Sequence, residues 1–256
     1  NYLLEDCEDI WNSGTNGTAA LETTIKKVGN GSAKCTIGAV VAGDVIMYET
    51  MAAVRDVSTY THMLCWAYSV PTTDAADYRI GLGTTAAGAS PTTLVDIPAL
   101  TAVTWKYCHC TVVSGSPFSA TTAGTIIGLE SNANGANGDI IYLDDIQAAK
   151  TIAGINTWSM DYTSDVLETT DFASAGVRDY IVGGSGWTGS FAGYKEGAPL
   201  SIGEIYGIEL AESATTTQMW LGNIIITGVH PSVDSAGIVS YSYDFQGTGN
   251  LTVAST

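Results

Sequence analysis

Residues 168–180, ETTDFASAGVRDY, set three carboxylates around one arginine in a stretch otherwise made of small and apolar side chains. Glu168, Asp171 and Asp179 beside Arg178 could serve an active site, a metal loop or an assembly contact, since all three use acids in this way. Catalytic frameworks are missing around them. The chain has no G-x-S-x-G elbow, no P-loop and no H-E-x-x-H, and His62, His109 and His230 lie far apart. His230 precedes Pro231 and reads as a solvated loop histidine. No pair of carboxylates is singled out for glycoside chemistry, and GLGTTAAG (81–88) reads as a hairpin end rather than a phosphate cradle. The chain is therefore read as non-enzymatic, with no catalytic residue and no required cofactor.

Five cysteines (Cys7, Cys35, Cys65, Cys108 and Cys110) lie in the first half, and most sit inside apolar runs such as KCTI and MLCWAY. They read as reduced core hydrophobes, with one or two disulfides as the alternative. In CHC (108–110) a strand would send the two thiols to one face and His109 to the other, which makes a poor metal site. Nine Lys and Arg against 26 Asp and Glu give a net charge of −17. A cationic nucleic-acid groove is excluded on that balance, and anionic membranes are disfavoured. No run of about 18 apolar residues is present to span a membrane.

The elements that must position these residues are strands. Residues 1–148 alternate short apolar runs (AKCTIGAV, HMLCWAYSV, YRIGLG, WKYCHCTVV, TIIGLE, IIYLDDIQ) with Gly, Asn, Ser, Pro and Thr clusters, the spacing of a β-sandwich. SNANGANGD (131–139) is the strongest turn signal. From residue 151 onward cysteine disappears and longer strands follow. In IVSYSYDFQ, Val239, Tyr241, Tyr243 and Phe245 alternate with Ser240, Ser242 and Asp244, predicting one buried and one polar face. A short helix is expected in AESATTTQMW (211–220), and a helical turn near SAGVRDY (174–180). The expectation is an all-β protein of two domains, 1–148 and 151–256, with one short helix in the second.

In the second half, Trp158, the Glu168-Thr169-Thr170 run, Arg178 and Tyr180, the segment from Trp187 through Gly189 and Phe191 to Gly193, Trp220-Leu221-Gly222, and Phe245-Gln246-Gly247-Thr248-Gly249 occur in order. This set resembles the tail tube (major tail) proteins of long-tailed bacteriophages across residues 151–256. The resemblance implies a small β-barrel or sandwich joined to its neighbours in a hexameric ring. Stacked rings would form a hollow tube for DNA and the tape-measure protein, with tail terminator and baseplate proteins as further partners. It implies a virion protein assembled in the host cytoplasm. It also places Glu168, Asp171, Arg178, Asp179 and Tyr180 at inter-subunit contacts. Residues 151–256 hold eleven acids and two bases, near −9 per subunit. A lumen of like sign would let DNA pass without specific binding. Asp161, Asp165 and Asp244 are the lumen candidates, with ordinary solubilising acids as the equal alternative.

The first half, through LLEDCEDIWNSG, GNGSAKCTI, YTHMLCWAYSV, TWKYCHCTVV and IYLDDIQ, resembles the jelly-roll modules of carbohydrate-binding and phage-exterior proteins. That resemblance implies a β-sandwich decoration and a structural Ca2+ at Glu8 and Asp144, with Asp145 and Glu5 as alternates. A surface glycan would need an exposed aromatic platform from Trp11, Trp66, Trp105, Tyr60 or Tyr78. The competing reading of the whole chain is a secreted two-domain carbohydrate-binding protein, to which N-x-S/T sites at Asn16, Asn30 and Asn250 are compatible.

Overall fold

Strand-forming residues spaced by glycine and asparagine turns leave almost no helix. In a computed structural model that describes residues 2–40, 42–85, 90–132, 138–150, 154–169, 177–195, 197–212 and 218–255, the helical content of the described residues is one 3-10 turn at Phe118–Ala120. The chain is all-β and divides into two compact units, Asn1–Thr151 and Ile152–Thr256.

The first unit contains β1 (Tyr2–Glu5), β2 (Asn12–Ser13), β3 (Gly17–Glu22), β4 (Ser32–Ile37), β5 (Asp44–Arg55), β6 (His62–Ser69), β7 (Tyr78–Gly83), β8 (Thr93–Asp96), β9 (Lys106–Val112), β10 (Gly124–Ser131) and β11 (Ile140–Ala149). Pairing runs β2-β5-β10-β7-β8-β9-β6-β11-β4-β3, with β1 beside β11. The β8–β9 link is only two residue pairs, Val95↔Val112 and Asp96↔Thr111. The path therefore folds into two antiparallel layers around one core. From one layer come Ala33, Cys35, Met63, Cys65, Cys108 and Ile141; from the other come Ile46, Ile80, Leu82, Val95, Ile127 and Leu129. All five cysteines are free and buried, and Cys65 Sγ lies 3.9 Å from Cys110 Sγ. His109 points away from them and stacks on His62, ring centroids 4.8 Å apart. The period-2 alternation of a strand places thiols and imidazoles on opposite faces.

The second unit is one antiparallel sheet of β12 (Ile155–Glu168), β13 (Tyr180–Tyr194), β14 (Ile205–Ala211), β15 (Gln218–Val233) and β16 (Val239–Ser255), ordered β12-β13-β16-β15-β14. Trp158 Nε1 on β12 donates to the Ala211 carbonyl on β14 at 3.1 Å, so the two outer strands meet and the sheet curls around a core. That core is Trp187, Phe191, Leu210, Ile224, Ile226, Tyr243 and Phe245. Burying each such side chain contributes about 1.5–3 kcal/mol. Tyr243 and Phe245 are buried and Asp244 is exposed, as the alternation predicts.

Two expectations need correction. Ala211 and Gln218–Trp220 are strand, not helix. Val177–Asp179 are irregular and Tyr180 begins β13. Leu210 and Trp220 are better used facing the sheet core than on an isolated turn, so tertiary packing overrides local preference. Residues 213–217 and 174–176, which held the rest of both expectations, lie outside the described residues, as do 133–137 of the Asn-Gly turn.

Candidate functional site

Of the residues that resemble tail tube proteins, Trp158, Trp187, Gly189, Phe191, Gly193, Trp220, Phe245 and Gly247 gather at the core of the second unit, whereas Glu168, Arg178 and Tyr180 lie on its surface. Phe191 stacks on Tyr243 with centroids 5.0 Å apart, and Trp187 meets Phe245 edge-on at 5.9 Å. Trp187 Nε1 donates to the Gly249 carbonyl at 3.3 Å, and Trp220 Nε1 donates to Glu212 Oε1 at 3.0 Å. A methyl group on Gly247 would overlap the Trp187 indole; one on Gly189 would strike the Ser159 carbonyl and the Phe245 ring. One on Gly193 would strike the Gly154 carbonyl. Gly249 has φ +69°, a left-handed conformation that glycine adopts without strain. These residues therefore build the unit, and the surface they hold out is elsewhere.

That surface begins where β13 leaves β16. Their pairing runs from Tyr194↔Ser240 to Thr188↔Gln246 and stops. Residues 180–187 continue paired with β12 alone among the described residues, which makes a two-stranded arm. Tyr162, Val166, Leu167, Tyr180, Ile181 and Val182 are all exposed on it, Val182 at 80%. Neighbours in a strand point to opposite faces, so the arm is apolar on both sides. At its tip Arg178 Nη1 lies 3.9 Å from Glu168 Oε2 with both side chains solvated, and Thr169 N donates to the Asp179 carbonyl. Such an exposed pair contributes at most about 1 kcal/mol. Glu168, Arg178, Asp179 and Tyr180 are thus brought together at one end of the arm; Asp171 lies outside the described residues.

The opposite face of the sheet is small and polar. Register aligns Asp161 with Thr188 and Gln246, and Ser159 with Ser190 and Asp244. Ser159 and Ser190 hydroxyls lie 3.1 Å apart, those of Ser232 and Ser240 2.8 Å apart. Asp161 and Asp244 therefore share a face across β13, whereas Asp165 falls at the bulge between Ser164 and Val166, on the arm. Asp244 is not bare: its Oδ2 lies 2.9 Å from His230 Nε2, over Gly228, where a methyl group would stand 2.8 Å from His230 Nε2 and 3.1 Å from Asp244 Oδ2. His230 is in strand β15, not in a loop.

In the first unit, the carboxylates named for calcium are engaged with N–H donors. Asp144 is fully buried, and its Oδ2 accepts from Lys27 N at 2.7 Å and Val28 N at 2.9 Å. Glu8 Oε1 accepts from Asn30 N, and Glu8 Oε2 from Asn30 Nδ2. Both Asp145 oxygens lie 2.8 Å from Gln147 Nε2. Asp144 Oδ1 has no hydrogen-bond partner among the described residues. Burial, with Asp145 and Glu8 nearby, pushes the Asp144 carboxyl up to about 6; burial likewise pushes Glu5 to about 7. Among the described residues no three His, Cys, Asp or Glu side chains converge in a way that could hold a metal. The arrangement does not offer the six to eight oxygens calcium prefers. It staples the 27–30 loop to β11.

Of the proposed aromatic platform, Trp11, Trp66 and Tyr78 are buried. Tyr60 stacks on Tyr2 at 5.7 Å, and half-buried Trp105 packs on Tyr68 at 5.4 Å. The Tyr68–Trp105 pair and the His62–His109 stack were not read from the sequence. Their only signal there was placement on the outward positions of β6 and the segment around β9, which needs the register to interpret.

No family model matches the chain, and no curated protein matches it. Among solved structures, the tail of an empty GTA particle, obtained by helical refinement with C6 symmetry, is similar over 41% of this chain and 86% of its own, at 18% identity and a TM-score of 0.35. An exo-β-agarase is similar over 59% of this chain and 25% of its own, at 12% identity and a TM-score of 0.36. No helix among the described residues is long and apolar enough to cross a membrane.

Proposed function

We propose that this chain is a structural virion protein, a tail tube subunit whose second unit polymerises as stacked rings into a hollow tube. The first unit is then a β-sandwich decoration. The observation that carries the reading is the β12–β13 arm. A two-stranded hairpin with apolar side chains on both faces has no core of its own and is at best marginal alone in water; it is completed by burial against another surface. A second copy is the natural partner, because heterologous contacts between identical subunits close into rings or extend into filaments. The small polar face bearing Asp161 and Asp244, within a unit near −9, suits a wall past which DNA slides without sticking. The chain has no catalytic role in this reading, and its place is the virion tail.

Electron microscopy of purified protein over a wide concentration range tests it: rings or tubes are expected, and a strict monomer throughout rejects the proposal. A secreted carbohydrate-binding protein is the second reading, favoured by the half-exposed Tyr68–Trp105 pair. A monomer that binds glycans, and loses binding on Trp105→Ala, would establish that reading instead.

A further inference from the structure

We infer that the arm completes its sheet by strand exchange: the edge of β13 at residues 180–186 in one copy pairs with the end of β16, residues 247–255, in a second copy. The inference rests on the self-assembly reading and specifies its contact. Within one copy these two segments are the continuation of a pairing already begun, since the register that ends at Thr188↔Gln246 would next bring Trp187 to Gly247 and then Gly186 to Thr248. Two features divert it. The Trp187 indole lies against Gly247 and takes the Gly249 carbonyl as acceptor, while Gln246 Nε2 donates to the Trp187 carbonyl at 2.9 Å. Just beyond, the pairing with β15 shifts between Leu221↔Thr252 and Asn223↔Thr248, so β16 carries extra residues around Gly249 and bends.

The fork leaves two strand edges, each paired on one side only among the described residues. Residues 180–186, YIVGGSG, contain no charge and no proline, the usual guards against edge-to-edge association. Gly184 and Gly186 have no atom of the described residues within 4 Å of where a side chain would stand, so nothing among those residues accounts for glycine there. Glycine within a strand often marks the close approach of another backbone. Each copy offers one edge of each kind, complementary in direction, so exchange is head-to-tail and propagates through a ring.

Hydrogen exchange of the isolated subunit and of the assembled protein tests this. Amides in peptides covering 180–186 and 247–255 are expected to slow together by about tenfold or more on assembly, since strand pairing protects backbone N–H groups. Val182→Lys should prevent slowing in both segments while leaving subunit melting unchanged. Protection of the arm with 247–255 unchanged would overturn strand exchange but leave the tube reading standing. Failure of the wild-type protein to assemble at any concentration would overturn both.

Discussion

Replacing Asp144 with asparagine keeps an oxygen for the Lys27 and Val28 amides while removing a charge the fold buries at a cost. The carboxyl ordinarily titrates near 3.8 and is pushed to about 6 in the folded unit. The folded state therefore holds a proton that the unfolded chain has released across that interval. Stability from this group is full below about pH 4 and is lost as pH rises through about 6. A shift of roughly two units at 1.36 kcal/mol each is about 3 kcal/mol. Cys7, Glu8, Asp145 and the Lys27 backbone surround the group. Glu5, partly exposed and also raised, acts in the same direction in both proteins. The asparagine amide placed where Oδ1 stood introduces a pH-independent cost of about 1–3 kcal/mol if it too finds no partner. The informative quantity is therefore the variant's stability relative to wild type, followed against pH. Urea unfolding at pH 4, 5, 6 and 7 should show it moving in the variant's favour by about 3 kcal/mol across the series. A difference that stays flat with pH would refute the account of Asp144 as a buried, charge-penalised carboxyl.

Arg178→Glu puts like charges beside Glu168 at the arm tip; it should leave thermal melting within about a degree, since exposed pairs contribute little, and should block assembly as seen by light scattering. Tubes of normal length from this variant would remove Arg178 from the contact. Phe191→Ala deletes a ring stacked on Tyr243 in the second core and should cost about 3–5 kcal/mol, measured as a lower urea midpoint for that unit alone. Gly247→Ala forces the Trp187 indole aside and should destabilise by about 1–3 kcal/mol, with tryptophan fluorescence shifting to the red. Millimolar calcium, and equally its chelation, should leave the melting of the first unit unchanged, because the Glu8, Asp144 and Asp145 carboxylates are held by N–H groups; a rise of several degrees would show that the 27–30 loop opens to admit the ion.

The all-β class was legible because alternation in stretches such as IVSYSYDFQ is a local signal, and Tyr243 and Phe245 do face inward as it demands. The strand-breaking residues that flank KCTI or YRIGLG are local signals too. What was not legible depends on register. Nothing in the sequence states that Thr188 is the last residue of β13 to meet β16, so the fork, and the arm it releases, could not be placed. The ends of the helix expected at 211–220, Ala211 and Gln218–Trp220, are strand for the same reason: Leu210 and Trp220 earn their place through their mutual pairing across β14 and β15. The residues that resemble tail tube proteins were visible as a set, yet their roles were not, because a conspicuous Trp or Gly is as apt to build a core as to display a contact. Trp187 does both indirectly. Its indole lies on Gly247 where the β13–β16 pairing ends, so in the proposed strand exchange a single packed ring would set both where the subunit stops and which edges a second copy joins.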